Sequence, residues 1–226
     1  MILYVNGDSH SAGAEAVNSY CFAEDDPFFT GLGRRPHPEN EKVSYGCLIA
    51  NELWAVLHCD AESASSNDRI IRTTREALKQ FTPDAVIIGW STHEREEWLH
   101  EGTYWQVNAG GIGDDWPDDI KQKYKQYVLD INWTECKQRE HQKIWDFHKE
   151  LKQQEIKHLF FNTFNDFNNI DPVNWENCFV EPYDPNMTYF NYLKNQGLTP
   201  KTTYHYGPDG HRKWAEFLLP HLTRLL

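Results

Sequence analysis

The sequence is poor in positive charge. Lys and Arg together number 22 against 34 Asp and Glu in 226 residues, for a formal net charge of −12. No cluster of basic residues offsets that field locally. A net negative surface repels phosphate backbones, so nucleic acid is not an expected partner. Long apolar runs are missing too, since nothing approaches the ~20 residues that span a bilayer, and no membrane partner is expected. The start, Met1 to Gly7, has no basic segment and too short an apolar run for a signal peptide, which makes the cytoplasm the expected location. Cys-x-x-Cys spacing is also absent. The five cysteines, at 21, 47, 59, 136 and 178, are odd in number and unlike a disulfide framework or a zinc cluster, so reduced, mostly buried thiols are expected. His58, His100, His141, His148, His158 and His221 show no metal-ligand grouping, and neither a metal nor another cofactor is expected.

What is present is a core. Hydrophobic residues make up 39% and aromatic residues 14%, with nine Trp, which suits one domain over residues 1–226 that buries about 70% of its unfolded surface. Ile2 to Val5 is a short apolar run stopped by Asn6-Gly7, a buried strand ending in a tight turn. Ala55 to Cys59 is a second strand candidate. Ser65-Ser66-Asn67-Asp68 is a helix N-cap cluster, followed by the apolar stripe Ile70, Ile71, Thr74, Ala77, Leu78, Phe81. Ala85 to Trp90, apolar on both faces, fits the centre of a parallel sheet. A charged helical stretch runs from Asp118 to Gln154, with a fourth strand at Lys157–Asn162 and helices near 188–195 and 208–219. Residues 22–42, 99–117 and 163–186 read as loop insertions. Alternating strands and helices predict an α/β fold, a three-layer α/β/α sandwich around a central parallel, flavodoxin-like sheet.

Chemistry is expected at the carboxyl ends of those strands, where open α/β folds bind ligands. Gly7-Asp8-Ser9-His10-Ser11 follows the first strand directly. A serine on a strand-to-helix turn presents its hydroxyl outward, with its own N–H available to an oxyanion; the structural alternative is that Ser9 or Ser11 only caps a helix. Gly-Asp-Ser in this position resembles the first block of the SGNH hydrolases, a family of serine esterases, lipases and carbohydrate deacetylases, and the resemblance continues along the chain. The second block aligns with Ala64 to Ile70, with Ala64 where a glycine is usual; Ala64 or Ser65 would supply a backbone N–H. The third aligns with Gly89-Trp90-Ser91-Thr92, Ser91 standing for an asparagine donor. The last aligns on Gly210-His211, which places His205 at the catalytic histidine and Thr202 at its aspartate. His211 is the alternative base. The orienting acid is left open among Asp166, Asp171, Asp184 and Asp209.

The resemblance implies a serine ester hydrolase that removes a short acyl group, acetyl on a carbohydrate for instance, through an acyl-enzyme on Ser9. Its partner is then a small-molecule or carbohydrate ester. Ser9, Ala64, Ser65 and Ser91 form the expected oxyanion hole, with Asp8, His10, Asn67, Trp90 and Trp105 as candidate substrate contacts. Arg95-Glu96 is expected to anchor the third-strand loop. Two other readings use the same residues. A carbohydrate-binding protein of this fold with impaired catalysis would account for the substituted positions. A metal-dependent phosphoesterase would use Asp8 and His10 as its first ligand pair.

Overall fold

The computed structural model describes residues 1–22, 35–108, 111, 113 and 116–226. Four parallel strands, β1 (Ile2–Asn6), β2 (Val56–Cys59), β3 (Ala85–Trp90) and β6 (His158–Asn162), form a sheet in the order β2-β1-β3-β6. Cys178–Val180 extends it past β6: Phe160 N–H donates to the Cys178 carbonyl at 2.7 Å and Val180 N–H to the Phe160 carbonyl at 2.9 Å. β3 is buried at all six positions, as its apolar run requires.

Side-chain alternation divides the core into two halves. Leu3, Val5, Ala85, Ile87, Leu159 and Phe161 face α2 (Tyr45–Glu52), α6 (Tyr189–Asn195) and α7 (Pro208–Thr223). Tyr4, Val86, Ile88, Trp90 and Phe160 face α3 (Asn67–Gln80) and α5 (Trp133–Gln153). Each buried Ile or Phe contributes about 1.5–3 kcal/mol relative to an exposed one. The three-layer α/β/α sandwich is therefore as expected. Among the described residues no helix is long and apolar enough to cross a membrane.

The charged stretch 118–154 is largely helical as expected, in two helices, α4 (Asp118–Asp130) and α5, separated at Ile131-Asn132, where Asn132 caps the N–H groups of Thr134 and Glu135. Three expectations need correction. The last helix continues through Pro220 to Thr223. Within 22–42, Pro38–Glu41 is a one-turn helix, α1, and residues 23–34 lie outside the described residues. The expected 99–117 loop is in large part an antiparallel hairpin, β4 (Arg95–His100) with β5 (Thr103–Asn108); residues 109, 110, 112, 114 and 115 lie outside the described residues. Its two-residue turn has positive φ at Glu101 (48°) and Gly102 (79°), a conformation that matches strand twist. Glu97 fixes the hairpin to α3 by a two-point bond with Arg72, at 2.7 and 2.8 Å. On the other face Trp98, Trp105 and Val107 pack with Trp116, Ile120 and Tyr127.

Candidate active site

The loops after β1, β2, β3 and β6 meet at the carboxyl end of the sheet. Glu62 N–H donates to the Gly7 carbonyl at 3.2 Å, and Thr163 N–H to the Trp90 carbonyl at 3.0 Å. Gly7 (φ 154°) lets the chain turn there. A Cβ on it would lie 2.2 Å from Ser11 Oγ and 2.8 Å from the Gly89 carbonyl oxygen, so no larger residue fits. The sequence predicts a helix after this turn. Instead residues 8–16 form successive turns, in which Ala12 N–H donates to the Asp8 carbonyl and Ala14 N–H to the Ser9 carbonyl, at 3.0 and 2.8 Å. Buried Asn40 holds the following segment through the N–H groups of Val17 and Asn18 and the carbonyls of Asn18 and Tyr20, satisfying backbone groups that no helix or strand serves.

Ser9 is 6% exposed, and neither its hydroxyl nor its N–H is bonded to another described residue. Ser11, by contrast, accepts a 2.8 Å bond from the Tyr45 hydroxyl and is fully buried. Of the two residues flanking Ser9, His10 packs against His205. The His10 ring lies 4.9 Å from the His205 ring, between Phe164 and Tyr189. Burial pushes the Asp8 carboxyl up, against the opposing pull of Arg95, the His10 N–H, Ser91 and His205. Burial also pushes His10 well below the usual imidazole range, helped by His205 and Arg95.

The far side of His205 carries a carboxylate. Glu15 Oε2 lies 3.4 Å from His205 Nδ1, both side chains being partly buried. The oxygen is within ion-pair range but off the axis of a proper hydrogen bond, so Nδ1 has no formal hydrogen-bond partner; such contacts in unliganded sites are often loose and tighten with substrate. Glu15 itself is fixed from the His205 loop, accepting from the Thr203 hydroxyl through its carboxylate and from Lys201 Nζ through its carbonyl. Its backbone has φ 59°, so its geometry is set by the turn run rather than by a helix. The expected acids are engaged elsewhere or open to solvent. Asp166 pairs with Lys137, Asp184 caps a short helix over Pro185–Met187, Asp209 pairs with Arg212, and Asp171 and Thr202 are exposed.

Several expected contacts take other roles. Ser65 N–H donates to the Glu62 carbonyl at 3.2 Å, so it is not free for an oxyanion. Among the described residues Ala64 N–H has no such acceptor, and Ala64 takes the left-handed φ of 67° that a glycine would adopt there. The loop is braced by a buried 2.6 Å Glu62–Arg69 ion pair. The Ser91 hydroxyl donates to Asp8 Oδ2 at 3.2 Å and accepts from Arg95 Nη1 at 2.9 Å. Asn67 is a buried strut that accepts from Ser91 N–H at 2.8 Å and donates to Glu140 at 3.1 Å. Trp90 is fully buried in the core, Trp105 packs on Trp116 at 5.0 Å, and Asp8 and His10 are almost inaccessible. Arg95 does not pair with Glu96, which bonds Trp98 and Arg139. Its guanidinium, still 22% exposed, points to Asp8 at 3.4 Å and the Ser65 carbonyl at 3.5 Å. Arg95 beside Asp8 and Glu15 beside His205 are thus placements that the sequence reading does not anticipate.

His211 is a packing residue. It accepts the Tyr45 N–H at 3.3 Å, and burial, with His10 and His205 nearby, holds its pKa down at about 3. Tyr45 and Tyr189 face it, and burial pushes both phenols above their usual range, so they remain neutral. Unfolded histidine titrates near 6.5, so between about pH 6.5 and 3 only the unfolded chain takes up this proton, and stability is lost as pH falls. The expected result is an unfolding free energy in urea, and with it a midpoint, that drops from pH 7 to 5.5 to 4, the free energy by at most about 1.4 kcal/mol per pH unit for one histidine. His211→Gln, which keeps an acceptor, should flatten the curve; an unchanged midpoint in the parent protein would rule the account out.

No protein-family model matches the sequence, and no curated protein is significantly similar to it. Solved structures are similar in fold. TesA aligns over the whole of both chains at 10% identity, with a TM-score of 0.52. An acetyl xylan esterase from the rumen bacterium Butyrivibrio proteoclasticus aligns over 98% of this chain and 63% of its own at 14% identity and 0.49. A protein assigned to the G-D-S-L lipolytic family of Desulfitobacterium hafniense aligns over the whole of both chains at 12% and 0.48.

Proposed function

Given that the chain has the SGNH-hydrolase fold, we propose that it is a serine ester hydrolase in which Ser9, His205 and Glu15 act together. The observation that carries this reading is the Glu15 carboxylate at 3.4 Å from His205 Nδ1, because it supplies the acid that the last sequence block lacks. With Nδ1 turned to Glu15, Nε2 is the ring nitrogen left to take the Ser9 proton. Ser9 Oγ attacks the ester carbonyl carbon as His205 accepts that proton, and the oxyanion is held by the Ser9 and Ala64 N–H groups. Arg95 adds positive charge beside that pocket, in place of the family's asparagine. His205 then returns the proton to the departing alcohol. Water repeats the sequence on the acyl-enzyme and frees Ser9.

The substrate class rests on the site's shape and charge. Ser9 is nearly enclosed, which favours a short acyl group such as acetyl, and the chain's negative charge favours a neutral scaffold such as a carbohydrate. Binding without turnover is the second reading, favoured by the engagement of Ser91 with Asp8. The phosphoesterase reading loses its support, since Asp8 turns to Ser91 and Arg95 while His10 packs among aromatic rings.

A fluorophosphonate probe tests the proposal by forming a Ser–O–P bond with loss of fluoride. One equivalent of label on the Ser9 peptide, with parallel loss of p-nitrophenyl acetate hydrolysis, is expected. No labelling, together with saturable glycan binding, would support the binding reading instead.

A further inference from the structure

At the other end of the sheet a second group of side chains converges, from positions whose sequence spacing carries no signal. His148 comes from α5, His158 opens β6, and Cys178 lies on the segment that pairs beyond β6. All three are buried, and one ligand atom from each lies within 4.8 Å of the others. β6 puts about 13 Å of strand between this group and the loops around Ser9. We propose that His148, His158 and Cys178 bind a soft divalent cation of the Zn2+ kind.

The hydrogen bonds present one donor atom, His158 Nε2, in the form a metal needs. His158 Nδ1 faces the Ile156 carbonyl at 2.8 Å, so it carries the proton and leaves a lone pair on Nε2. A ligating histidine is usually oriented in this way by a backbone carbonyl. That Nε2 lies 2.8 Å from His148 Nδ1, which therefore donates. The Cys178 thiol points toward the Glu176 carbonyl at 3.6 Å. Zn–N distances of about 2.0–2.1 Å and Zn–S of about 2.3 Å are within reach of donor atoms that lie within 4.8 Å of one another. Binding breaks the S–H bond, forms Zn–S and releases one proton, while His148 moves its proton from Nδ1 to Nε2. A cavity of about 380 Å³, bordered by His158, Cys178, Ile156 and Leu225, has room for water as a fourth ligand. Two imidazoles and a thiolate select Zn2+ over Mg2+ or Ca2+. The cation would tie α5, β6 and the Cys178–Val180 edge together, and so stabilise the fold independently of the chemistry at Ser9.

Cobalt substitution provides a direct readout. The full-length protein titrated with Co2+ should develop a thiolate-to-cobalt charge-transfer band that saturates at one equivalent. Zn2+ should abolish the band and raise the Tm. Cys178→Ser should lose the band, His148→Gln should weaken Co2+ binding at least about 10-fold, and Cys47→Ser should behave as the parent. Absence of the band in the parent, or its persistence in Cys178→Ser, would overturn the proposal. If Cys178→Ser does not fold, His148→Gln decides: unchanged Co2+ affinity in that variant has the same consequence.

Discussion

Ser9→Ala is expected to lower kcat/KM for p-nitrophenyl acetate by about 10⁴-fold or more while leaving the fold intact. The size of the loss follows from covalent chemistry. Without Oγ there is no acyl-enzyme, and His205 and Glu15 have nothing to activate, so residual turnover rests on oxyanion binding alone. Stability should change little because Ser9 Oγ makes no hydrogen bond to the described residues, and its removal leaves no buried partner unpaired. Ser11→Ala provides the contrast. It removes the acceptor of the buried Tyr45 hydroxyl, and is expected to cost about 1–3 kcal/mol of stability. Urea denaturation and steady-state kinetics on the two variants separate the roles. Hydrolysis by Ser9→Ala at the parent rate would exclude Ser9 as nucleophile, and parent activity lost to EDTA with no fall in Tm would point to metal chemistry.

The parts of this fold that were legible in the sequence are those in which local pattern and burial agree. Ala85 to Trp90 reads as a central strand because every side chain is apolar, and both faces are covered. The β4–β5 hairpin was not legible, because Arg95, Glu96 and Glu97 look like a solvated segment until Arg72 and Arg139 are seen to pair with the two glutamates. The only local signals were Gly102 and the β-forming alternation from Thr103 to Asn108. Trp90 and Asn67 were placed near substrate by their adjacency to motif positions, but adjacency does not say which way a side chain points. The pleat turns Trp90 into the α3–α5 half of the core, and the first turn of α3 turns Asn67 toward Ser91 and Glu140. Glu15 was invisible for a different reason. The sequence leaves the orienting acid open among Asp166, Asp171, Asp184 and Asp209, all in the second half of the chain, whereas the carboxylate facing His205 belongs to Glu15 at the other end and lies in the turn run after β1.

That origin makes Glu15→Gln the most discriminating substitution in the site. Gln has nearly the same shape and its amide oxygen can still accept from Thr203, so the loop should keep its position and the Tm should stay within a degree or two. What changes is the charge facing His205 Nδ1. An amide does not stabilise the imidazolium formed in the transition state. The expected loss in kcat is about 10²–10⁴-fold, toward the smaller figure if water can replace part of the role of this partly exposed carboxylate. KM should remain near the parent value, since Glu15 lies behind His205 and touches no substrate in the proposed arrangement. Glu15→Asp, which keeps the charge but shortens the reach, should fall between the two. If Glu15→Gln retains full kcat with an intact fold, His205 works as a dyad with Ser9 and the carboxylate is only a loop anchor. If kcat and Tm collapse together, its contribution is structural.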